Sequence, residues 1–334
     1  MSKRLSGWEN IRLLYCGCDE NRSFPHGNRR EGNASFHLEQ RIRVILLATV
    51  AILLLGGCRP APPEPGLQDD GLQLVYIERF DIENKAEGLR EPSGLMLAND
   101  RAALWTVSDD KKRIFKLTLQ GQLDTANSFA ISDKGLEGIA LDPSGAFLLT
   151  VQEENNQVIV VDAGTQKVTQ KQRLSDMQGY SQVDQHFANG DKNKGLEGIT
   201  WNSDSSTIFV LKEGEPGLLL ELSTDLSTIL NQKLLTAGNG FQDNDVGGDE
   251  LDFSGIFYDS TRMKFWIVSD KGQRLFLYDW NADRVLQSVA LAYSQNGKQR
   301  EIEKAEGVTL DPSTGRLYVV SDAEARLYVF EVRE

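Results

Sequence analysis

The sequence predicts an all-β protein, a five-bladed β-propeller of four-stranded antiparallel blades, and three observations carry that expectation. A triplet of polar residue, glycine and aliphatic residue recurs at Ser93-Gly94-Leu95, Glu137-Gly138-Ile139, Glu197-Gly198-Ile199, Ser254-Gly255-Ile256 and Glu306-Gly307-Val308. Its glycines lie 44, 60, 57 and 52 residues apart, a propeller-blade period and not a helical-repeat one. Counted from each glycine, position +15 is an acid every time: Asp109, Glu153, Glu213, Asp270 and Asp322. Acids fill only 49 of the 334 positions, so five out of five at one offset is not chance.

Each strand of the repeat follows from local pattern. A short apolar segment follows the glycine and ends in a turn such as Asp142-Pro143-Ser144-Gly145 or Asp311-Pro312-Ser313-Thr314-Gly315, with proline where a type I turn favours it. An alternating segment such as 316–320 runs back, and a third, such as 326–330, follows a tight acidic loop. A fourth, more variable strand is expected at 168–174, 228–235 and 284–291. The last unit has three strands before the chain ends, whereas 72–82 is a strand-like segment without a unit of its own. That segment is expected to complete the last blade and close the ring, because an open ring would leave two edge strands exposed.

The domain organisation reads as a leader at 1–58, a proline-rich linker at 59–71 and the propeller at 72–334. Residues 44–55 are apolar apart from Thr49, follow Arg41 and Arg43, and precede Gly56, Gly57 and Cys58. Such a run falls short of the roughly 20 residues that cross a bilayer, and its flanks are those of a secretory signal. The ending Leu55-Gly56-Gly57-Cys58 resembles the lipobox of bacterial lipoproteins, which implies a lipid on Cys58 as first residue of the mature chain. Residues 1–37 are polar and unpatterned, so translation is expected to begin near Leu38. The linker holds four of the nine prolines and is expected to act as a stiff spacer. Arg59 is not the aspartate that retains such lipoproteins in the inner membrane, so the expected location is the outer membrane, facing the periplasm.

Charge and composition exclude several functions. The net charge is −13; the first 58 residues hold eight of the bases and five of the acids, so the remainder carries 28 against 44, a net of −16. Nucleic acid is therefore no general partner, since phosphate calls for the opposite sign. All three cysteines, Cys16, Cys18 and Cys58, lie in the leader, and His186 is the one histidine beyond it, which removes zinc sites and multi-histidine catalysis from the propeller. The expected partners are the membrane, through Cys58, and a small ligand or envelope protein; the propeller itself is expected to be a monomer.

The triplet opens the first strand and the +15 acid ends the second, so both lie at one end of each blade. First strands are innermost in a propeller, so Ser93, Glu137, Glu197, Ser254 and Glu306 should ring the axis. Asp109, Glu153, Glu213, Asp270 and Asp322 should lie slightly further out, which gathers eight carboxylates on one face. Carboxylates this close raise one another's pKa or recruit a cation. An oxygen-only, irregular ligand set suits calcium, with Glu137, Glu197 and Glu306 as the inner ligands and the outer acids as additional ones. The competing reading is that Lys134, Lys194 and Lys304, two or three residues ahead of those glutamates, neutralise them. The stretch 243–250 is not an EF-hand, because Gly247 stands where an oxygen ligand belongs and Ser254 where the closing glutamate belongs. No GxSxG elbow accompanies His186, so no catalytic triad is assigned.

The repeated openings, the strand ends Val107-Ser108-Asp109 and Val151-Gln152-Glu153, and the lipobox together resemble the SdiA-regulated, or YjiK-like, bacterial lipoproteins, distant relatives of NHL-type propellers. The resemblance covers about 72–334 and implies a five-bladed propeller with a calcium site and no established activity. Ser93 and Ser254 stand where the pattern has glutamate, which leaves that coordination incomplete in two blades. The leading expectation is a non-enzymatic, calcium-binding, membrane-tethered binding module. The rival is a calcium-dependent hydrolase of lactonase or esterase type, with a phytase-like phosphatase disfavoured because the acidic face offers few bases to hold phosphate.

Overall fold

The computed structural model describes residues 71–187, 194–243 and 251–333. The leader, Cys58 and the linker up to residue 70 lie outside the described residues.

Strand β1 (Gln73–Asp81) comes first. The first blade is β2 (Pro92–Leu97), β3 (Ala103–Ser108), β4 (Arg113–Thr118) and the short β5 (Phe129–Ala130). The second is β6 (Leu136–Leu141), β7 (Phe147–Gln152), β8 (Gln157–Asp162) and β9 (Lys167–Arg173). The third is β10 (Leu196–Asn202), β11 (Thr207–Lys212), β12 (Gly217–Leu222) and β13 (Ile229–Leu235). The fourth is β14 (Gly255–Asp259), β15 (Lys264–Ser269), β16 (Arg274–Asp279) and β17 (Arg284–Ala290). A two-stranded hairpin, β18 (Ala292–Gln295) and β19 (Lys298–Glu301), precedes the last blade of β20 (Ala305–Asp311), β21 (Arg316–Ser321) and β22 (Arg326–Arg333).

That last blade takes β1 as its fourth strand, in sheet order β1-β22-β21-β20. The register runs from Gln73 opposite Arg333 to Asp81 opposite Arg326, so the N-terminal segment closes the ring as its pattern predicts. Arg326 Nε adds a bond to Asp81 Oδ1 at 2.8 Å, and the tyrosines Tyr76 and Tyr293 lie 5.3 Å apart, seating the hairpin on the closing strand.

Apolar side chains meet between blades rather than around one centre. Val151 and Val158 of the second blade pack with Val210 and Leu220 of the third; Trp266 and Leu275 of the fourth pack with Leu317 and Phe330 of the fifth. Leu95 and Phe115 of the first pack with Tyr318 and Leu327 of the fifth, so apolar burial continues across the closure. Each fully buried leucine or valine contributes about 1.5–3 kcal/mol to holding neighbouring blades together.

The repeated glycines sit where first strands touch at the axis. A Cβ on Gly94 would lie 2.6 Å from the Glu137 carbonyl oxygen, and one on Gly307 2.6 Å from the Leu95 backbone nitrogen. Any larger residue there would hold the inner strands apart. The glycine collar leaves about 10 Å³ at the axis, room for about one water.

Candidate functional site

The strand register explains why the polar residue of each triplet turns toward the axis. Pairing with the second strand shifts between Pro92 and Leu95, Leu136 and Ile139, Leu196 and Gly198, and Ala305 and Gly307. These bulges fall at Ser93, Glu137, Glu197 and Glu306, and a bulge re-aims a side chain that regular pleating would send into the sheet-to-sheet packing. In the fourth blade Ser254 lies just ahead of β14, and its Oγ donates to the Ala305 carbonyl at 2.7 Å.

The mouth so formed encloses about 340 Å³, and all ten residues expected there line it. Two acids absent from the sequence expectation, Glu91 and Asp252, line it as well, and so does Lys304, one of the three lysines expected beside the glutamates. Each blade thereby contributes two carboxylates: Glu91 and Asp109, Glu137 and Glu153, Glu197 and Glu213, Asp252 and Asp270, Glu306 and Asp322. The serines of the first and fourth blades therefore do not leave those blades short; their second acid stands two residues earlier. Three residues before each glycine the chain has Glu91, Gly135, Gly195, Asp252 and Lys304, so an acid stands at that offset only in the two blades whose triplet opens with serine.

Confinement dominates the electrostatics. Burial pushes the Glu137 carboxyl up to about 8, against the opposing bond from Ser93 Oγ at 2.8 Å and with help from Asp109 and Glu153. Burial pushes Glu213 up to about 7 and Asp270 to about 6. Glu197 and Glu306 are held well above the usual carboxylate range, first by burial, then by neighbouring acids: Glu137 and Glu306 around Glu197, Asp270 and Glu137 around Glu306. Lys304 is the one cation lining the mouth among the described residues; its Nζ meets Asp322 Oδ2 at 2.8 Å. Lys194 lies a looser 3.8 Å from Glu213 Oε1. Of the three lysines expected to neutralise the glutamates, Lys194 and Lys304 thus meet the outer acids Glu213 and Asp322, and Lys134 does not line the mouth.

Two observations fit an oxygen-ligated cation. One oxygen each from Glu153, Glu197 and Glu213 gather within 4.8 Å of one another, a span compatible with metal–oxygen distances of about 2.3–2.6 Å for calcium. Glu213 Oε2 and Asp322 Oδ1 are buried without a hydrogen-bond partner among the described residues. This trio differs from the sequence-derived inner set: Glu197 is common to both, while Glu137 and Glu306 line the cavity outside it. Asp243 of the acidic stretch pairs with Arg274 at 2.9 Å, and 244–250 lie outside the described residues. His186 sits in a short 3-10 turn and does not line the mouth.

The model of the SdiA-regulated family matches residues 75–331. The chain belongs to the SdiA-regulated family. Among solved structures, this SdiA-regulated protein is similar to the glutaminyl cyclase of Myxococcus xanthus at 11% identity and a TM-score of 0.54, over 78% of this chain and 96% of that one. It is also similar to a luciferin-regenerating enzyme at 13% identity and a TM-score of 0.44, over 79% and 96% of the two chains. At such identity the likeness to the glutaminyl cyclase speaks for the fold alone.

Proposed function

We propose that the protein is a lipid-anchored component of the bacterial cell envelope whose propeller holds calcium at its acidic mouth and uses that face to bind a small ligand or an envelope protein. The observation that carries the calcium reading is the pair of buried, unpartnered carboxylate oxygens, Glu213 Oε2 and Asp322 Oδ1, in a mouth with two acids from every blade. Leaving such atoms unsatisfied is costly, and a cation held beside Glu213 would satisfy its oxygen. Glu153, Glu197 and Glu213 would hold it, and Ser93 would keep Glu137 oriented. The anchor reading rests on the lipobox at Cys58 and locates the propeller in the periplasm, tethered to the outer membrane.

Calorimetric titration of the propeller with calcium and magnesium tests the metal: saturable calcium binding that Glu197→Gln abolishes is expected, and no heat with a melting temperature indifferent to chelator would remove the site. For the anchor, Cys58→Ala should move the protein from the membrane fraction to the soluble periplasm.

A second reading, a calcium-dependent hydrolase of lactonase or esterase type, is favoured by one feature. Glu137, which lines the mouth outside the trio that would hold the ion, is pushed by burial up to about 8, near the range in which a carboxylate serves as general base at neutral pH. A bound divalent cation would supply Lewis-acid polarisation of a substrate oxygen. A phosphatase is disfavoured, since Lys304 is the lone cation lining the mouth among the described residues. A panel of lactones, aryl esters and phosphate esters, with and without calcium, separates the readings: calcium-dependent turnover lost in Glu197→Gln makes the protein an enzyme.

A further inference from the structure

We propose that the face opposite the acidic mouth carries a second small-molecule site, which takes a compact apolar molecule bearing a carboxylate. It stands apart from the calcium reading, because the glycine collar between the two faces leaves room for about one water and nothing larger passes.

The cavity lies where the first strands end, and all five blades reach it. Leu97, Leu141, Trp201, Tyr258 and Leu310, each three residues after its glycine, line a space of about 280 Å³. That volume is near the lower end of small-molecule pockets. Met96, Trp201 and Phe257 are only partly buried and share this one cavity. Single exposed apolar side chains are ordinary on a protein surface, but three converging on one concave space form a binding wall.

The polar groups at its rim are unbalanced. Asp142 is the one acid lining it among the described residues, and both its oxygens are committed: Oδ1 accepts from the Phe147 N–H at 2.7 Å, Oδ2 from the Ser144 N–H at 3.1 Å and Ser144 Oγ at 2.5 Å. The Asn99 amide donates to the Pro143 carbonyl at 3.2 Å. The exposed Arg101 guanidinium lines the rim, close enough to Asp311 to help lower its carboxyl, and the exposed hydroxyls of Ser203 and Ser260 can donate or accept beside it. The Trp201 indole N–H is itself buried without an acceptor among the described residues and is no rim donor. An arginine beside apolar walls, with the lining acid Asp142 already committed to its own turn, calls for a ligand that brings negative charge. Arginine's planar fork matches a carboxylate. Arg101 is held at φ 56°, a left-handed turn that fixes its backbone at the rim. The acidic mouth, with ten carboxylates, would repel the same ligand.

The test titrates the full chain with 2-naphthoate, a flat apolar carboxylate, following heat and tryptophan fluorescence. Saturable one-to-one binding is expected, weakened about tenfold or more in Arg101→Ala, since a hydrogen bond to a charged group is typically of that strength. Arg101→Lys should recover part of the loss, Phe257→Ala should weaken binding, and neutral 2-naphthamide should bind far less. Glu197→Gln, at the other mouth, should leave 2-naphthoate binding unchanged. Matching circular dichroism and melting curves establish that each variant is folded. Absence of saturable binding, equal affinity for the amide, or an Arg101→Ala variant that binds as well as the parent would each overturn the proposal.

Discussion

Ser93 of the first blade donates its hydroxyl hydrogen to Oε2 of Glu137 in the second, at 2.8 Å, across the seam between two blades. The bond favours the ionised carboxylate against a burial that pushes it up to about 8. Serine at a position that other blades fill with glutamate thus supports a neighbouring carboxylate in place of adding one. Ser93→Ala should move the Glu137 titration to higher pH, readable by carbon NMR of the carboxyl. At neutral pH it should also lower calcium affinity by up to about tenfold. An unmoved titration would show that the hydroxyl is a bystander.

Without a cation, stability should fall as pH rises. Glu137 and Glu213 titrate at about 8 and about 7 in the folded chain, above the ordinary glutamate value of 4.5. The folded state therefore binds more protons than the unfolded one, and stability present below about 4.5 is lost progressively up to about 8. In chelator the melting temperature should drop by about 5 °C or more between pH 5 and pH 8. With millimolar calcium the trend should reverse, since protons and the cation compete for the same oxygens.

Ring closure should be indispensable. Removing 72–82 strips β22 of one of its two partner strands and uncovers Phe330 and Tyr328, both fully buried. The truncated chain should aggregate or lose its cooperative unfolding transition, as an uncovered edge strand and apolar face favour association. A soluble protein with an unchanged melting curve would show that three strands suffice.

The collar tolerates no side chain. Gly307→Ala would bring a methyl to 2.6 Å from the Leu95 backbone nitrogen, and neither strand yields without loosening its blade. The expected loss is about 1–3 kcal/mol by thermal unfolding, of the size seen for overpacked cores. Calcium affinity should fall with it, because the collar sets the spacing of the carboxylates above. Loss of stability with affinity intact would separate the two roles.

Deep in the fourth blade, Asp259 is nearly fully buried, accepting from the Trp266 indole at 3.2 Å and the Arg262 guanidinium at 2.8 Å. Asp259→Ala leaves both donors without this acceptor and should cost about 3–5 kcal/mol. Urea unfolding measures it, and a loss below 1 kcal/mol would mean that water takes the carboxylate's place.

The sequence alone determined the fold and the acid positions. A recurring glycine, a following apolar strand and an acid at one offset are local features, repeated five times in register, so copies average out the ambiguity of any single short strand. Even the closing strand was legible, as an orphan segment facing a blade one strand short. Tertiary structure decided the composition of the site. Glu91 and Asp252 read as loop acids until the ring sets them beside the axis, and the trio of Glu153, Glu197 and Glu213 joins two blades whose relative distance no one-dimensional spacing contains. Nor could the sequence show that the glycines close the channel and leave two unlike faces, one acidic and one with apolar walls and an arginine at its rim. Strand pattern is set by neighbours along the chain, whereas a binding site is set by the approach of separate blades. That approach is fixed by how closely five backbones can meet at the axis.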